Sequence, residues 1–210
     1  IEATKWVPAL MERPDRVVPV DEFIDKLRDD LLARDMDLTN LGVSPNDALW
    51  LVEKTLLSIA EAEGVAEFKL TKFQDRAIRK ALLSSWSGQR ESAMIICSGT
   101  GSGKTIGFTV PVLVDAVLDT LRNKPVQNAR WSQLLVYPRN DLAFDQYQTL
   151  EGYCAKLNKY LKVRGEAEPR FEGVYLGIGL DAGGMIKGGR EKVPGGFAAW
   201  DVNWKTGGRE

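Results

Sequence analysis

The stretch Ser98-Gly99-Thr100-Gly101-Ser102-Gly103-Lys104-Thr105 constrains this chain more than any other. It follows a short apolar run, Ala93-Met94-Ile95-Ile96-Cys97, and precedes an apolar stretch of helical length. Strand, Gly-rich turn and helix, in that order, is the context a phosphate-binding loop requires. Glycines let the backbone fold into a concave nest whose N–H groups point at a polyphosphate. The helix N-terminus adds partial positive charge at the same spot. In such a loop Gly99, Thr100, Gly101, Ser102 and Gly103 form the cradle, Lys104 reaches the β- and γ-phosphates, and the Thr105 hydroxyl holds Mg²⁺. The residues therefore point to a nucleoside triphosphate. The pattern G-x-x-x-x-G-K-[ST] departs only at its first position, occupied by Ser98. A plain Gly-rich turn with an exposed lysine is the competing reading, but it does not need Gly-Lys-Thr at a helix start.

With 210 residues the chain can bury a real core in one or two domains. Its 44% hydrophobic and 27% charged residues are ordinary for a soluble globular protein. The formal net charge of −1 carries no bulk basic signature, so any nucleic-acid binding must come from a local patch. Cys97 and Cys154 form no C-x-x-C pair, and Cys97 falls in an expected buried strand, which fits a reducing, cytoplasmic setting. No histidine is present, which removes the commonest zinc ligand and the commonest general base. The longest apolar run near the loop, Thr109 to Leu118, contains Pro111 and Asp115 and falls well short of the roughly 20 residues of a membrane span. The first residues, Ile1-Glu2-Ala3-Thr4-Lys5, carry neither an initiator Met nor a signal-peptide core, which suggests a start inside a longer chain.

Two stretches differ in pattern. Residues 1–66 read as a small all-helical N-terminal region. Asp21 is placed to cap a helix with Phe23, Ile24, Leu27, Leu31 and Leu32 on one face. Ser44-Pro45-Asn46-Asp47 is a second helix start; that helix buries Leu49, Val52, Leu56 and Ile59 and stops at Gly64. Residues 67–210 alternate helix and strand: a helix over 72–83, a strand over 93–97, the loop, a helix over 104–121, a strand over 133–137, a helix from Asn140 to about Leu161, and a strand over 171–176. Such alternation predicts an α/β fold with a parallel sheet flanked by helices. Ligands then bind beyond the carboxyl ends of the strands, where the loop lies. Residues 183–210, with repeated Gly-Gly pairs, show no clear period.

Three stretches around the loop resemble superfamily 2 helicases of the DEAD/DEAH type. Ile106-Gly107-Phe108-Thr109-Val110-Pro111 carries Phe and Pro at the offsets that family uses after Gly-Lys-Thr, and the family tolerates Ser at the first loop position. A helix break at Val110 would account for Pro111 without the family. Leu70-Thr71-Lys72-Phe73-Gln74-Asp75 resembles the Q motif, in which the glutamine pairs with the adenine edge and Phe73 stands beside it. Thr71 and Gln74 equally form a capping box, T-x-x-Q, that needs no ligand. The aromatic residue the family places far upstream is replaced by Leu57. Tyr137-Pro138-Arg139-Asn140-Asp141-Leu142-Ala143-Phe144-Asp145-Gln146 resembles motif Ia, which grips the nucleic-acid backbone; Arg139, Asn140 and Gln146 are its candidate contacts. Its Asp145-Gln146 ending is similar to the Lhr, RecQ and YprA types of DNA helicase. Lys156, Lys159, Lys162 and Arg164, interleaved with Tyr153 and Tyr160, could extend a phosphate track or form a solvated helix face.

The resemblance covers about residues 68–177 and implies part of a RecA-like lobe that uses ATP and Mg²⁺. It implies an ATP-driven nucleic-acid helicase or translocase, with DNA favoured over RNA, and a second RecA-like lobe or partner subunit outside this chain. Large bacterial anti-phage helicases are similar in these motifs. The family's aspartate-glutamate motif has no match downstream of the loop, and Asp21-Glu22 lies on the wrong side of it. A non-motor nucleotide-binding regulatory or scaffolding subunit is the rival reading.

Overall fold

The computed structural model describes residues 17–88, 94, 96, 103–122, 132–137, 139–162, 171, 174–178, 202–203 and 208–209. In chain order these form strand β1 (Val17–Pro19), helix α1 (Val20–Ala33), a 3-10 turn at Thr39–Leu41 and helix α2 (Pro45–Ala62). Strand β2 (Lys69–Thr71) and helices α3 (Lys72–Trp86), α4 (Lys104–Arg122) and α5 (Asn140–Lys162) follow. A hairpin of β3 (Val202–Asn203) and β4 (Gly208–Arg209) is the last described element.

Helix starts follow local chemistry. At α2 the Ser44 hydroxyl accepts from the Asp47 amide at 3.2 Å while the Asp47 carboxylate accepts from the Ser44 amide at 2.9 Å, with Pro45 in the first helical position. Each of these satisfies an amide that a helix start leaves orphaned. The chain leaves α2 through Gly64 at φ +68, a left-handed position that glycine adopts freely. Helix α1 differs from expectation: Pro19 is its cap, no side chain bonds there, and Asp21 sits with Glu22 inside the first turn. There the two carboxylates face the positive end of the helix dipole. Helix α4 runs unbroken through Pro111, so the Gly107 carbonyl one turn earlier has no helical donor. Gly107 is also where α4 approaches α3, since a Cβ on it would lie 3.6 Å from the Ala77 Cβ.

The core is continuous. Phe23, Leu27 and Leu31 of α1 meet Leu51, Val52, Leu56 and Ile59 of α2, and the same cluster takes in Ile78 and Leu82 of α3, Val110, Val114 and Val117 of α4, and Leu150, Leu157 and Leu161 of α5. Helix α2 buries nine of its eighteen residues along one broad face, as a helix packed against several neighbours must. Antiparallel pairing of β1 with β2, with Val18 opposite Leu70, ties the start of α1 to the start of α3. An ion-pair chain reinforces that tie: Arg79 reaches Asp75 at 2.7 Å and Asp30 at 2.5 Å, and Lys26 lies 3.9 Å from Asp75. Burial alone would lower the Arg79 guanidinium, but its bonds to Asp75 and Asp30 outweigh it and hold the group above its ordinary value.

The sheet differs from expectation. Among the described residues every strand pairing is antiparallel, β1 with β2 and β3 with β4, and the N-terminal region contains a strand. No ladder forms at 133–137 or at 174–176, and of 93–97 only Met94 and Ile96 are described, neither in a strand. Leu135 packs against the core while Leu134 and Val136 are 86% and 80% exposed. Apolar β-branched residues suit a strand, but a ladder also needs a neighbour at the right register. Near Leu176 a side chain takes that neighbour's role: Asn158 donates from Nδ2 to the Leu176 carbonyl at 2.8 Å and accepts from its amide at 2.9 Å.

Asn158→Ala would strand both Leu176 backbone groups in a buried site. We expect a loss of about 2–4 kcal/mol in urea unfolding, from two orphaned groups at about 1–2 kcal/mol each. Asp115 offers a pH test. Burial raises its carboxyl above the ordinary value, against a hydrogen bond from the Ser85 hydroxyl at 2.7 Å. The folded state therefore binds this proton more tightly than the unfolded state, and stability falls as pH rises from the unfolded to the folded pKa. Asp115→Asn should flatten the melting temperature's decline across that acidic window; an unchanged slope would refute the assignment.

Candidate nucleotide-binding site and nucleic-acid interface

The Q-like element and the Gly-Lys-Thr turn are brought together by one side chain. Thr71 caps α3, with its hydroxyl accepting from the Gln74 amide at 3.2 Å, and Gln74 Oε1 accepts from the Thr71 amide at 2.8 Å. The other end of the same side chain, Nε2, donates to the Gly103 carbonyl at 3.1 Å, across 29 positions of sequence. The capping box is thus formed, and Gln74 is 5% exposed. Gly103 sits at φ +69, and a Cβ there would lie 2.3 Å from Gln74 Nε2. Only glycine meets both demands.

Lys104 and Thr105 follow at once as the first two residues of α4, both half-buried. Phe73 lies in the first turn of α3, also half-buried. Gly99, Thr100, Gly101 and Ser102 lie outside the described residues. What is described fits a phosphate-bearing ligand with Mg²⁺: a glycine-only backbone leads into a long helix whose first turn carries an ammonium and a hydroxyl. Leu57, in place of the family's upstream aromatic, lines a separate cavity of about 460 Å³ with Val20, Phe68 and Lys69.

The motif Ia-like turn presents Arg139 at the start of α5. Arg139 is well exposed and its Nε donates to Asp141 at 3.0 Å, while a second guanidinium nitrogen bonds the other carboxylate oxygen. Asn140 begins the helix; nothing of its side chain is described. Gln146 is half-buried, and its Oε1 finds no hydrogen-bond partner among the described residues; the Tyr137 hydroxyl is in the same condition. Burial pushes the Tyr137 phenol above its ordinary value.

The basic stripe of α5 is partly occupied from within. Tyr153 is buried and donates to Glu63 at 2.5 Å, Tyr160 donates to Glu61, and Lys156 lies 3.8 Å from Glu61. The bond to Glu61, the larger cause, and desolvation push the Tyr160 phenol up to about 12. Lys162 lies 5.6 Å from the centre of the Tyr175 ring. Arg164 lies outside the described residues. These acidic partners were missed by sequence reading because Glu63 and Glu61 stand 90 and 99 positions before the tyrosines they meet. Asp141, two positions from Arg139, could have been found by spacing alone.

Residues 71–172 match the family of DEAD/DEAH box helicases. The match supports the helicase superfamily and a helicase-like, ATP-binding function. It begins on the Thr71 cap and spans Gln74, Lys104, Thr105, Arg139 and Gln146. No curated protein and no solved structure matches the chain. No helix among the described residues is long and apolar enough to cross a membrane.

Gly103→Ala tests the interlock. The added methyl must displace the Gln74 amide and enter the left-handed region, which costs about 1–2 kcal/mol for an L-residue. We expect a lower melting temperature together with weaker nucleotide binding by calorimetry.

Proposed function

We propose that this chain carries the ATP-binding part of a nucleic-acid-stimulated helicase or translocase that acts on DNA. The observation that carries the reading is the 3.1 Å hydrogen bond from Gln74 Nε2 to the Gly103 carbonyl. It joins the Q-like element to the Gly-Lys-Thr turn inside the stretch that matches DEAD/DEAH box helicases.

The roles follow from chemistry. The first-turn amides of α4 and the Lys104 ammonium hold the β- and γ-phosphates, where charge grows during phosphoryl transfer. The Thr105 hydroxyl is the ligand this chain offers to Mg²⁺, which when bound neutralises the β- and γ-oxygens. Arg139 exchanges its Asp141 partner for a backbone phosphate, keeping a charge-assisted pair on both sides of the exchange. Gln146 offers its amide N–H groups to a phosphate oxygen of the same strand. The preference for DNA is supported by the Asp145-Gln146 ending of the motif Ia-like turn. A second RecA-like lobe supplies the opposite wall of the nucleotide cleft.

ATPase assays of the full-length protein with and without DNA or RNA test this reading. DNA should stimulate turnover more than RNA does. Lys104→Ala should lower kcat by about 100-fold or more, the scale of losing one transition-state charge partner. Unchanged turnover in that variant would overturn the assignment. Nucleotide binding without stimulation by either nucleic acid would favour a non-motor regulatory subunit instead.

A further inference from the structure

Gln74 stands where the resemblance expects a reader of the adenine edge, but its amide already bridges two backbone groups of its own chain. Its orientation is not ambiguous. The Thr71 amide can only donate and the Gly103 carbonyl can only accept, so Oε1 faces the α3 cap and Nε2 faces the loop. With the residue 5% exposed, little of the amide remains for a base to touch.

The Gly103 carbonyl shares one planar trans peptide with the Lys104 N–H, and the two point in opposite directions. Drawing the carbonyl toward Gln74 therefore turns the Lys104 N–H away from α3. That N–H opens α4, and it belongs to the residue whose side chain meets phosphate. The frame is stiff on both sides. Gln74 is locked by the capping box, and α3 and α4 approach closely at Ala77 and Gly107. Even the space is interlocked, since Gln74 Nε2 lies 2.3 Å from where a Cβ of Gly103 would be.

We propose that Gln74 is a positioning residue for the phosphate loop: it sets the Gly103–Lys104 peptide for any triphosphate ligand and does not select the base. This rests on the nucleotide-binding reading above. Base selectivity then comes from elsewhere, and Gln74 matters equally to ligands with adenine, with guanine or with no base.

Gln74→Glu separates this role from a structural one. Glutamate at the third helical position completes the same capping box, so α3 stays capped. Its carboxylate cannot donate to the Gly103 carbonyl. Calorimetric titration of the full-length protein with Mg–ATP, Mg–GTP and Mg–tripolyphosphate should show all three weakened by one common factor, about 5- to 30-fold, with a smaller fall in melting temperature than Gln74→Ala shows. Gln74→Ala should weaken all three and lower the melting temperature further, because the Thr71 amide also loses its acceptor and half of the capping box goes. If Gln74→Glu leaves tripolyphosphate binding unchanged, or weakens ATP alone, the positioning role is overturned and base reading takes its place. If the wild-type protein binds none of the three, the nucleotide-binding reading itself fails, and this inference fails with it.

Discussion

Helix α2 carries a broad apolar face that must be covered, and the rest of the molecule is arranged around that fact. Leu49, Leu51, Val52, Leu56 and Ile59 line one broad face that takes up nearly half of its circumference. A face that wide gains its stability only when several neighbours share in covering it, at roughly 25 cal/mol for each Å² of apolar surface removed from water. Helices α1, α4 and α5 provide that cover. The helix that opens with Lys104 and the helix that opens beside Arg139 therefore lean on one shared support. Gly152 of α5 lies against Ala62 at the end of α2, small residue against small residue, which permits a close crossing.

Much of this was legible in the sequence, for identifiable reasons. Helix α2 announced itself through Ser44-Pro45-Asn46-Asp47 and Gly64, whose effects are local and act within four residues. Helices α3, α4 and α5 came from a period of apolar residues long enough to leave little ambiguity, and their ends moved by only one to three positions. The parallel sheet is a different matter. Residues 133–137 have strand-like composition, but a strand is defined by its partner, and no local rule names one. The Asp21 cap failed because Pro19, ending β1, set the chain's entry two residues earlier.

The site was legible in kind and not in wiring. Gln74 and Gly103 were both singled out, each within its own motif, yet the bond between them spans 29 positions and no spacing rule reaches so far. Both meanings of Thr71-x-x-Gln74 had been visible. The cap is present, and it fixes which end of the amide faces the loop. On α5 the basic and aromatic side chains meet acids within their own chain, Arg139 with Asp141, Lys156 and Tyr160 with Glu61, and Tyr153 with Glu63. Any polyanion meeting this face competes with carboxylates already in place.

Cys154 sits in the core on α5, 5% exposed, with burial first and the charge of Glu151 second pushing its thiol up to about 12. The thiolate is the reactive form, so at neutral pH this sulfur is chemically silent while α5 stays seated. It loses that silence only when the helix lifts from its neighbours. The protein thus carries an internal clock: the rate at which a thiol reagent consumes Cys154 counts how often the shared support beneath the motif Ia-like turn lets go.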